Sequence, residues 1–236
     1  MGAGSTEQPE GGSAPDEEEP AFVEPRWPIV TVLLSYIALT VVLRIAVPNR
    51  ASLSPHWLLP VAEIGLLGAV IAANPGDVVG RARWLRPLVV GLIIALAVFA
   101  LGATVLLVRD LARGSEVTES ASALLASGGL VWIGNALIFG LFYWAMDSGG
   151  PLARFRRERP FPDFAFSQHL NPELAPPGWR PSYVDYLILG FTTSTAFSPT
   201  DVMPMAPWAK LTMAVQSLMS LAVLGLVIAR AVNAFT

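Results

Sequence analysis

The chain has no cysteine and little charge, and both shortages restrict what it can be. Cysteine is absent from all 236 residues, which excludes disulfides, zinc–thiolate sites and thiol catalysis. Histidine occurs only at His56 and His169, so we expect no metal site. Charged residues make up 14% of the chain, whereas a soluble domain carries about 25%. With 53% hydrophobic residues and a mean hydropathy of +0.56, the composition indicates a protein whose main solvent is lipid.

The first 25 residues differ from the rest of the chain. They are rich in glycine, proline, serine and acidic residues, and they show no apolar periodicity. Such a segment cannot bury enough apolar surface to fold alone. Its acidic start also differs from the basic start of a signal peptide. We therefore expect a disordered acidic tail at residues 1–25.

Apolar runs along the remaining chain predict an all-α fold, a polytopic bundle of transmembrane helices. A helix needs about 20 mostly apolar residues to cross a bilayer. Four such runs lie within residues 26–147, and a further long one lies within residues 181–236. The expected helices cover residues 28–47, 57–73, 87–108, 121–146 and 207–233.

Arginine positions predict the orientation in the membrane. Basic residues follow the second and the fourth apolar runs, and cytoplasmic loops carry such an excess. We therefore expect residues 148–180 to form a cytoplasmic interfacial loop, and the N-terminus to be cytoplasmic as well. Richness in alanine, glycine and arginine indicates the cytoplasmic membrane of a bacterium with a GC-rich genome. We expect the arginines of the loop to contact anionic lipid headgroups: Arg154, Arg156, Arg157 and Arg159.

The same loop is also aromatic. Phe161, Phe164, Phe166 and Trp179 lie in its proline-rich second half. Aromatic rings favour the boundary between membrane and water. We expect this part of the loop to lie on the membrane surface.

Two charges fall inside the first two apolar runs, where charge is costly. Arg44 lies about one turn from the end of the first run, and Glu63 lies nearly two turns into the second. Tyr36 and Thr40 share a helical stripe with Arg44, because the three are spaced by four residues. We predict that Arg44 and Glu63 pair. The pair is either structural, with Arg44 reaching toward the interface, or an ion or proton relay.

Polar residues also repeat along the last apolar run. Thr212, Gln216 and Ser220 recur every four residues, which places them on one helix face. They form either a wetted, path-lining stripe or a polar seam against another helix. Asn135 lies mid-way along the fourth run, where an amide typically joins two helices.

The stretch "GFTTSTAFSPTDVMP" at residues 190–204 separates two apolar runs. Residues 181–199 span about 27 Å as a helix, against a hydrocarbon core of about 30 Å. We expect six spans in total; the alternative is five spans and one re-entrant segment. The hydroxyls and the acid of this stretch are candidates for a polar path: Thr192, Thr193, Ser194, Thr195, Ser198 and Asp201.

The C-terminal block beginning "DYLILGFTTSTAFSPTDV" and ending "VN" resembles the signature of a family of bacterial integral membrane proteins of unknown function. Members show an acidic residue and an aromatic residue, a hydroxyl-rich turn, an acidic step and a long final helix. Here Asp185, Tyr186, residues 192–195, the "SPTD" step and Val232 match that order. The resemblance implies a multi-pass membrane protein and no assigned reaction.

The last quarter of the chain resembles, more weakly, the pore module of potassium channels. There a short helix runs into "TTVGYGD", and a proline and an inner helix follow. Here Thr192 and Thr193 precede Asp201 and Pro204 in the same order. Both filter glycines are missing and Pro199 fixes its own φ, so potassium selectivity by carbonyl rings is not expected.

These patterns lead to two hypotheses of function. The first is ion permeation or transport through a polar route near residues 192–201, and the second is a non-transport membrane scaffold acting through its basic loop and acidic tail. We expect no enzyme and no cofactor, because no G-x-S-x-G elbow, phosphate loop or metal set occurs. Expected partners are the lipid bilayer and a second copy of the chain in a homo-oligomer. Nucleic acid is not expected, because the basic charge lies at membrane edges.

Overall fold

The computed structural model describes residues 27–46, 61, 63–68, 85–113, 121–195 and 202–234. Nine elements follow one another along these residues, joined by short 3-10 turns at Asp147–Gly149 and Pro172–Leu174. They are α1 (Trp27–Ala46), α2 (Leu85–Arg113), α3 (Ala121–Met146), α4 (Pro151–Phe155), β1 (Phe164–Phe166), α5 (Ser167–Leu170), α6 (Tyr183–Ser194), β2 (Val202–Pro204) and α7 (Pro207–Ala234).

Three of the described helices are long and apolar enough to cross a membrane. The apolar windows are Pro87–Leu106 in α2, Leu125–Gly149 along α3 and Pro207–Ala229 in α7. A shorter apolar stretch, Pro28–Val42, lies in α1. The chain is therefore a mostly helical, membrane-embedded protein, and four of the expected helices coincide with α1, α2, α3 and α7. Of the expected helix at residues 57–73 the described part, residues 61 and 63–68, is helical; the tail at residues 1–25 lies outside the described residues.

A small sheet accompanies the mostly helical fold and was not predicted from the sequence. β1 and β2 pair antiparallel, with Phe164 opposite Pro204 and Phe166 opposite Val202. Strands of three residues leave too weak an alternation in the sequence to be recognised. The sheet forms because helix packing brings these two distant segments together.

Part of the region between α3 and α6 packs against the helix ends, and its expected position on the membrane surface stays a prediction. Phe164 and Phe166 are buried, at 0% and 3% exposure. The Phe164 ring packs edge-on against Tyr143, and the Phe166 ring packs against Tyr186. Phe161, by contrast, is 81% exposed. Pairing of β1 with β2 holds the two buried phenylalanines on the core, which explains the difference.

α3 is the central helix, since α1, α2, α6 and α7 all pack against it. Its closest neighbour is α6. A Cβ atom added to Gly190 on α6 would lie 2.7 Å from the Gly140 backbone nitrogen on α3. Two facing glycines therefore let these backbones touch, which is the way helices in lipid gain packing energy.

Candidate functional site

α6 starts where α3 ends and runs back along it. The Tyr186 hydroxyl donates to Asp147 just beyond the end of α3. One turn further along α6, Gly190 contacts Gly140. At the far end, the Ser194 carbonyl accepts from the Trp132 indole at 2.8 Å. The two helices are therefore antiparallel, and α6, with 12 residues, extends about 18 Å from its start.

β2 lies at the end of the molecule where α6 begins. Val202 pairs with Phe166, and the Met205 backbone N–H donates to the Asp163 carbonyl at 2.8 Å. The Asp163 backbone N–H donates in turn to Asp147 at 3.0 Å. The start of α6, the strand β2 and the start of α7 thus all lie beside the end of α3. α6 and α7 both leave from this end.

Asp147 joins these segments. Its side chain is fully buried, and its Oδ1 accepts from the Ser148 hydroxyl and from the backbone N–H groups of Asp163 and Phe164. Its Oδ2 accepts from the Tyr186 hydroxyl. We call Asp147 with the β1–β2 pair the clasp. In the sequence Asp147 is only the acid that ends an apolar run, so the sequence did not predict that it accepts hydrogen bonds from several segments.

Donors from other helices bind the carbonyls near the end of α6. The Trp132 indole on α3 binds the Ser194 carbonyl. On α7, the Gln216 amide donates to the Gly190 carbonyl at 2.7 Å and the Ser217 hydroxyl donates to the Thr193 carbonyl at 3.3 Å. The last carbonyls of a helix have no partner within that helix. The protein itself therefore supplies partners for carbonyls at this helix end.

Gln216, predicted to lie on a polar path, is a buried junction between three helices. Its amide nitrogen also donates to the Ser194 hydroxyl at 2.8 Å, and its oxygen accepts from the Tyr143 hydroxyl at 2.6 Å. On this face of α7 the polar residues form a seam. Thr212 donates to carbonyls of its own helix, and the Ser220 hydroxyl is buried with no partner among the described residues.

The hydroxyl side chains of α6 mostly bond within their own helix. Thr192 donates to the Ile188 carbonyl, Ser194 to the Gly190 carbonyl and Thr195 to the Thr192 carbonyl. The buried Thr193 hydroxyl has no partner in the described part of the chain. The structure therefore brings Thr193 and Ser194 to the seam with Gln216. Ser198 and Asp201 lie outside the described residues.

The other intramembrane polar residues also connect helices. Glu63 is buried and accepts from the Thr40 hydroxyl of α1 at 3.3 Å. The Arg44 side chain lies outside the described part, so its pairing with Glu63 stays a prediction. The Asn135 amide donates to the Thr104 hydroxyl at 2.9 Å and joins α3 to α2.

The four loop arginines have different environments. Arg154 donates to the carbonyls of Trp144 and Asp147 at 2.6 and 2.9 Å, which fixes it against the end of α3. Arg159 lies 3.6 Å from Asp163 in a loose ion pair. Arg156 and Arg157 are exposed, and neither side chain bonds to a residue that the structure describes. Of the four predicted headgroup contacts, Arg154 is therefore already engaged by the protein.

Within the described ranges no three histidine, aspartate or glutamate side chains are grouped in a way that could hold a metal ion. The most specific arrangement is instead a half-length helix that ends among donors from its neighbours. Searches with this chain match no protein-family model, no curated protein and no solved structure.

Proposed function

We propose that this protein conducts ions across the membrane, with five spans and α6 as a re-entrant half-helix. In this proposal the chain enters the membrane along α6, returns to the same side at β2 and then crosses along α7. This is the alternative to six spans that the sequence left open. It is supported by the positions of β2 and α6, which both begin at the clasp.

The observation that carries the proposal is the end of α6. Its length of about 18 Å falls short of a hydrocarbon core of about 30 Å. A helix end at that depth exposes carbonyls, and such groups are tolerated in lipid only where protein or a water-filled cavity satisfies them. Trp132 and Ser217 supply such partners to the carbonyls of Ser194 and Thr193. A helix that simply continued across the membrane would need neither of these two bonds.

The electrostatics of α6 favour a cation. A helix carries partial negative charge at its carbonyl end, and half-helices in transporters use this end to coordinate cations. The hydroxyl-rich residues 192–198 lie at or directly after this end. The order of short helix, return and long helix also agrees with the resemblance to a potassium-channel pore module. This geometry does not predict selectivity for one cation over another, because the filter glycines are missing.

In this proposal the ion route lies between copies of the chain. Within one chain the seam between α6 and α7 is closed by Gln216, which bonds to Gly190, Ser194 and Tyr143. Side chains packed in this way leave no room for a hydrated ion. We therefore propose a homo-oligomer in which the carbonyl ends of α6 face one another.

Membrane topology tests the re-entrant segment directly. The chain has no cysteine, so a single cysteine can be introduced without removing others. We would label Phe161→Cys, Met203→Cys and Thr236→Cys from each side of sealed vesicles. Positions 161 and 203 should label from one side and position 236 from the other. Six spans would instead put positions 161 and 236 on one side and position 203 opposite.

Ion flux tests the activity. Purified protein in liposomes should pass monovalent cations, and Asp201→Asn should change the flux while the folded yield stays the same. Glu173→Gln, an exposed acid of the loop between α3 and α6, is the control and should leave the flux unchanged. No flux from well-folded wild-type protein would contradict the proposal and favour the scaffold hypothesis.

A further inference from the structure

A cavity lies beside the clasp, outside the α6–α7 seam. Its volume is about 610 Å³, within the range of ligand sites. The walls come from Asp147–Ser148, from α4 and the turn after it, from His169 and from residues 179–182. It therefore opens beside the end of the α3 span, where the apolar window stops at Gly149.

The lining of this cavity is strongly basic. Four arginines line it, against one acidic residue, Asp147. Both oxygens of Asp147 already accept hydrogen bonds from the clasp. The nearby acids Glu158, Asp163 and Asp185 are not part of the lining, although Asp163 lies 3.6 Å from Arg159 and offsets its charge in part. The cavity thus presents a surplus of positive charge, which favours an anion carrying more than one negative charge. The arginines are Arg154, Arg157, Arg159 and Arg180.

Two of the arginines are held by contacts with the protein. Arg154 binds two carbonyls and lies 4.8 Å over the Tyr186 ring. Arg180 donates to the Phe155 carbonyl at 2.9 Å and lies 4.3 Å over the Phe155 ring. A guanidinium has five N–H donors, so each keeps donors beyond those it has used. Fixed donors of this kind form a preorganised wall for an anion.

Arg157 is the arginine without a protein partner. Its side chain makes no hydrogen bond or ion pair with the residues that the structure describes, yet it lines the cavity. Its backbone has φ of 52°, the left-handed region that a residue with a long side chain rarely adopts. An unfavourable conformation that persists is a reason to look for a function. Its neighbour Arg156 is equally exposed but is not part of the lining.

His169 adds a neutral donor. Its Nδ1 accepts the backbone N–H of Phe166 at 3.1 Å, and the ring packs edge-on against Phe166 and Trp179. In the neutral ring the proton therefore resides on Nε2, since Nδ1 is the acceptor. The cavity thus combines guanidinium groups with an imidazole N–H, a set of donors that suits phosphate oxygens.

We propose that this cavity binds a phosphate monoester, with Arg157 as the main ligand-holding cation, and that the phosphate belongs to a lipid headgroup. A monoester is dianionic and presents three terminal oxygens, whereas a diester offers two and a single charge. The position at the end of a membrane span favours a lipid. Phe161 and Leu174, each 81% exposed, lie on the same interfacial segment. The site is independent of ion conduction and stands whether or not the protein conducts.

Binding to the full-length protein in phosphatidylcholine nanodiscs tests the site. The probes, measured by calorimetry, are short-chain phosphatidic acid, short-chain phosphatidylglycerol and inorganic phosphate. Phosphatidic acid should bind tightest. Arg157→Gln should lower the affinity for phosphatidic acid about tenfold or more, as expected for loss of a charge-assisted hydrogen bond. The matched control Arg156→Gln should leave its affinity unchanged.

Arg157→Gly separates ligand binding from folding. Glycine adopts the left-handed conformation readily, so this variant should keep or raise the thermal stability of the protein and still lose phosphatidic acid binding. Three results would overturn the proposal: no binding of phosphatidic acid, equal binding of phosphatidylglycerol, or equal losses in Arg156→Gln and Arg157→Gln. Equal affinity for inorganic phosphate would support the phosphate site and overturn its assignment to a lipid.

Discussion

Four hydrogen bonds end on the two carboxylate oxygens of Asp147. An asparagine side chain keeps one acceptor oxygen and turns its amide N–H₂ toward donors. We expect Asp147→Asn to lower the free energy of unfolding by about 2–4 kcal/mol, because buried donors lose their acceptor. Chemical denaturation in detergent micelles measures this.

A second aspartate provides the comparison. Asp185 binds the backbone N–H and hydroxyl of Ser182 at the exposed start of α6. Asp185→Asn should lower the free energy of unfolding by about 1 kcal/mol or less, as for other helix caps. If the two variants unfolded at the same denaturant concentration, Asp147 would not have the central role that its hydrogen bonds indicate.

His169 makes stability depend on pH. Burial lowers the pKa of the ring below its ordinary value of 6.5, and the charge of Asp147 opposes that change in part. The unfolded chain then binds the proton more readily than the folded one. Stability is therefore complete above pH 6.5 and declines as the pH falls from there to the pKa of the folded state.

The decline in stability can be followed by measuring the midpoint of thermal unfolding between pH 7.5 and pH 5.5. His169→Gln should make this midpoint less dependent on pH, because glutamine does not titrate. The chain has one other histidine, and His56→Gln should keep the slope of the wild-type protein. An unchanged slope in His169→Gln would assign the pH dependence to other groups.

Sequence reasoning identified the basic run at residues 154–159 but not what each arginine does. Arg154 and Arg157 have the same chemistry and similar neighbours in the chain. They differ in their surroundings. Arg154 donates hydrogen bonds to the carbonyls of Trp144 and Asp147, whereas Arg157 lines the cavity. Such partners depend on tertiary contacts, which a charge pattern does not contain.

Contact between α3 and α6 depends on the absence of a side chain at Gly190. A Cβ atom there would lie 2.6 Å from the Ala136 carbonyl oxygen, and backbone cannot move aside cheaply. Gly190→Ala should therefore push the helices apart and lower stability by about 1–3 kcal/mol, the usual cost of overpacking. Gly225→Ala on α7 is the control, since nothing lies within 4 Å of the added atom. Equal thermal midpoints for both variants would rule out a close contact at Gly190.

Gln216 tests whether the polar face of α7 is a seam. Gln216→Leu removes one partner each from Gly190, Ser194 and Tyr143. We expect the free energy of unfolding to fall by about 1–3 kcal/mol and the purified protein to be less monodisperse, because the buried Tyr143 hydroxyl loses this acceptor while Ser194 and Gly190 keep the bond between them. Thr192→Val on α6 should change little, since that hydroxyl bonds only to carbonyls of its own helix. A well-folded Gln216→Leu protein would favour the wetted stripe instead.

The long helices were predictable and the end of α6 was not. Lipid imposes a length of about 20 apolar residues, so α2, α3 and α7 follow from hydropathy. α6 looked like part of a sixth span because its threonines and serine bond to their own helix and are tolerated there. The carbonyl at its end accepts from Trp132, which lies 62 residues before Ser194 in the chain. No local pattern contains that contact.

The complete membrane protein should be an assembly if the ion route lies between chains. Light scattering of the purified protein, corrected for detergent, should give a mass of more than one chain of 25.2 kDa. The lipid-facing sides of α6 and α7 are apolar, so detergent competes for them, and nanodiscs are the matching control. A monomer in both environments would contradict a route between copies.

The clasp also constrains how the protein is made. α6 leaves the ribosome before α7, but the side chains of Gln216 and Ser217 that bind its carbonyls belong to α7. β1 likewise can form its pair only after β2 has been synthesised. An isolated α6 would carry unsatisfied carbonyls into lipid, which costs several kcal/mol for each group. If α6 is re-entrant as proposed, we expect it to enter the membrane only once α7 has been synthesised, so that the two helices insert as a unit.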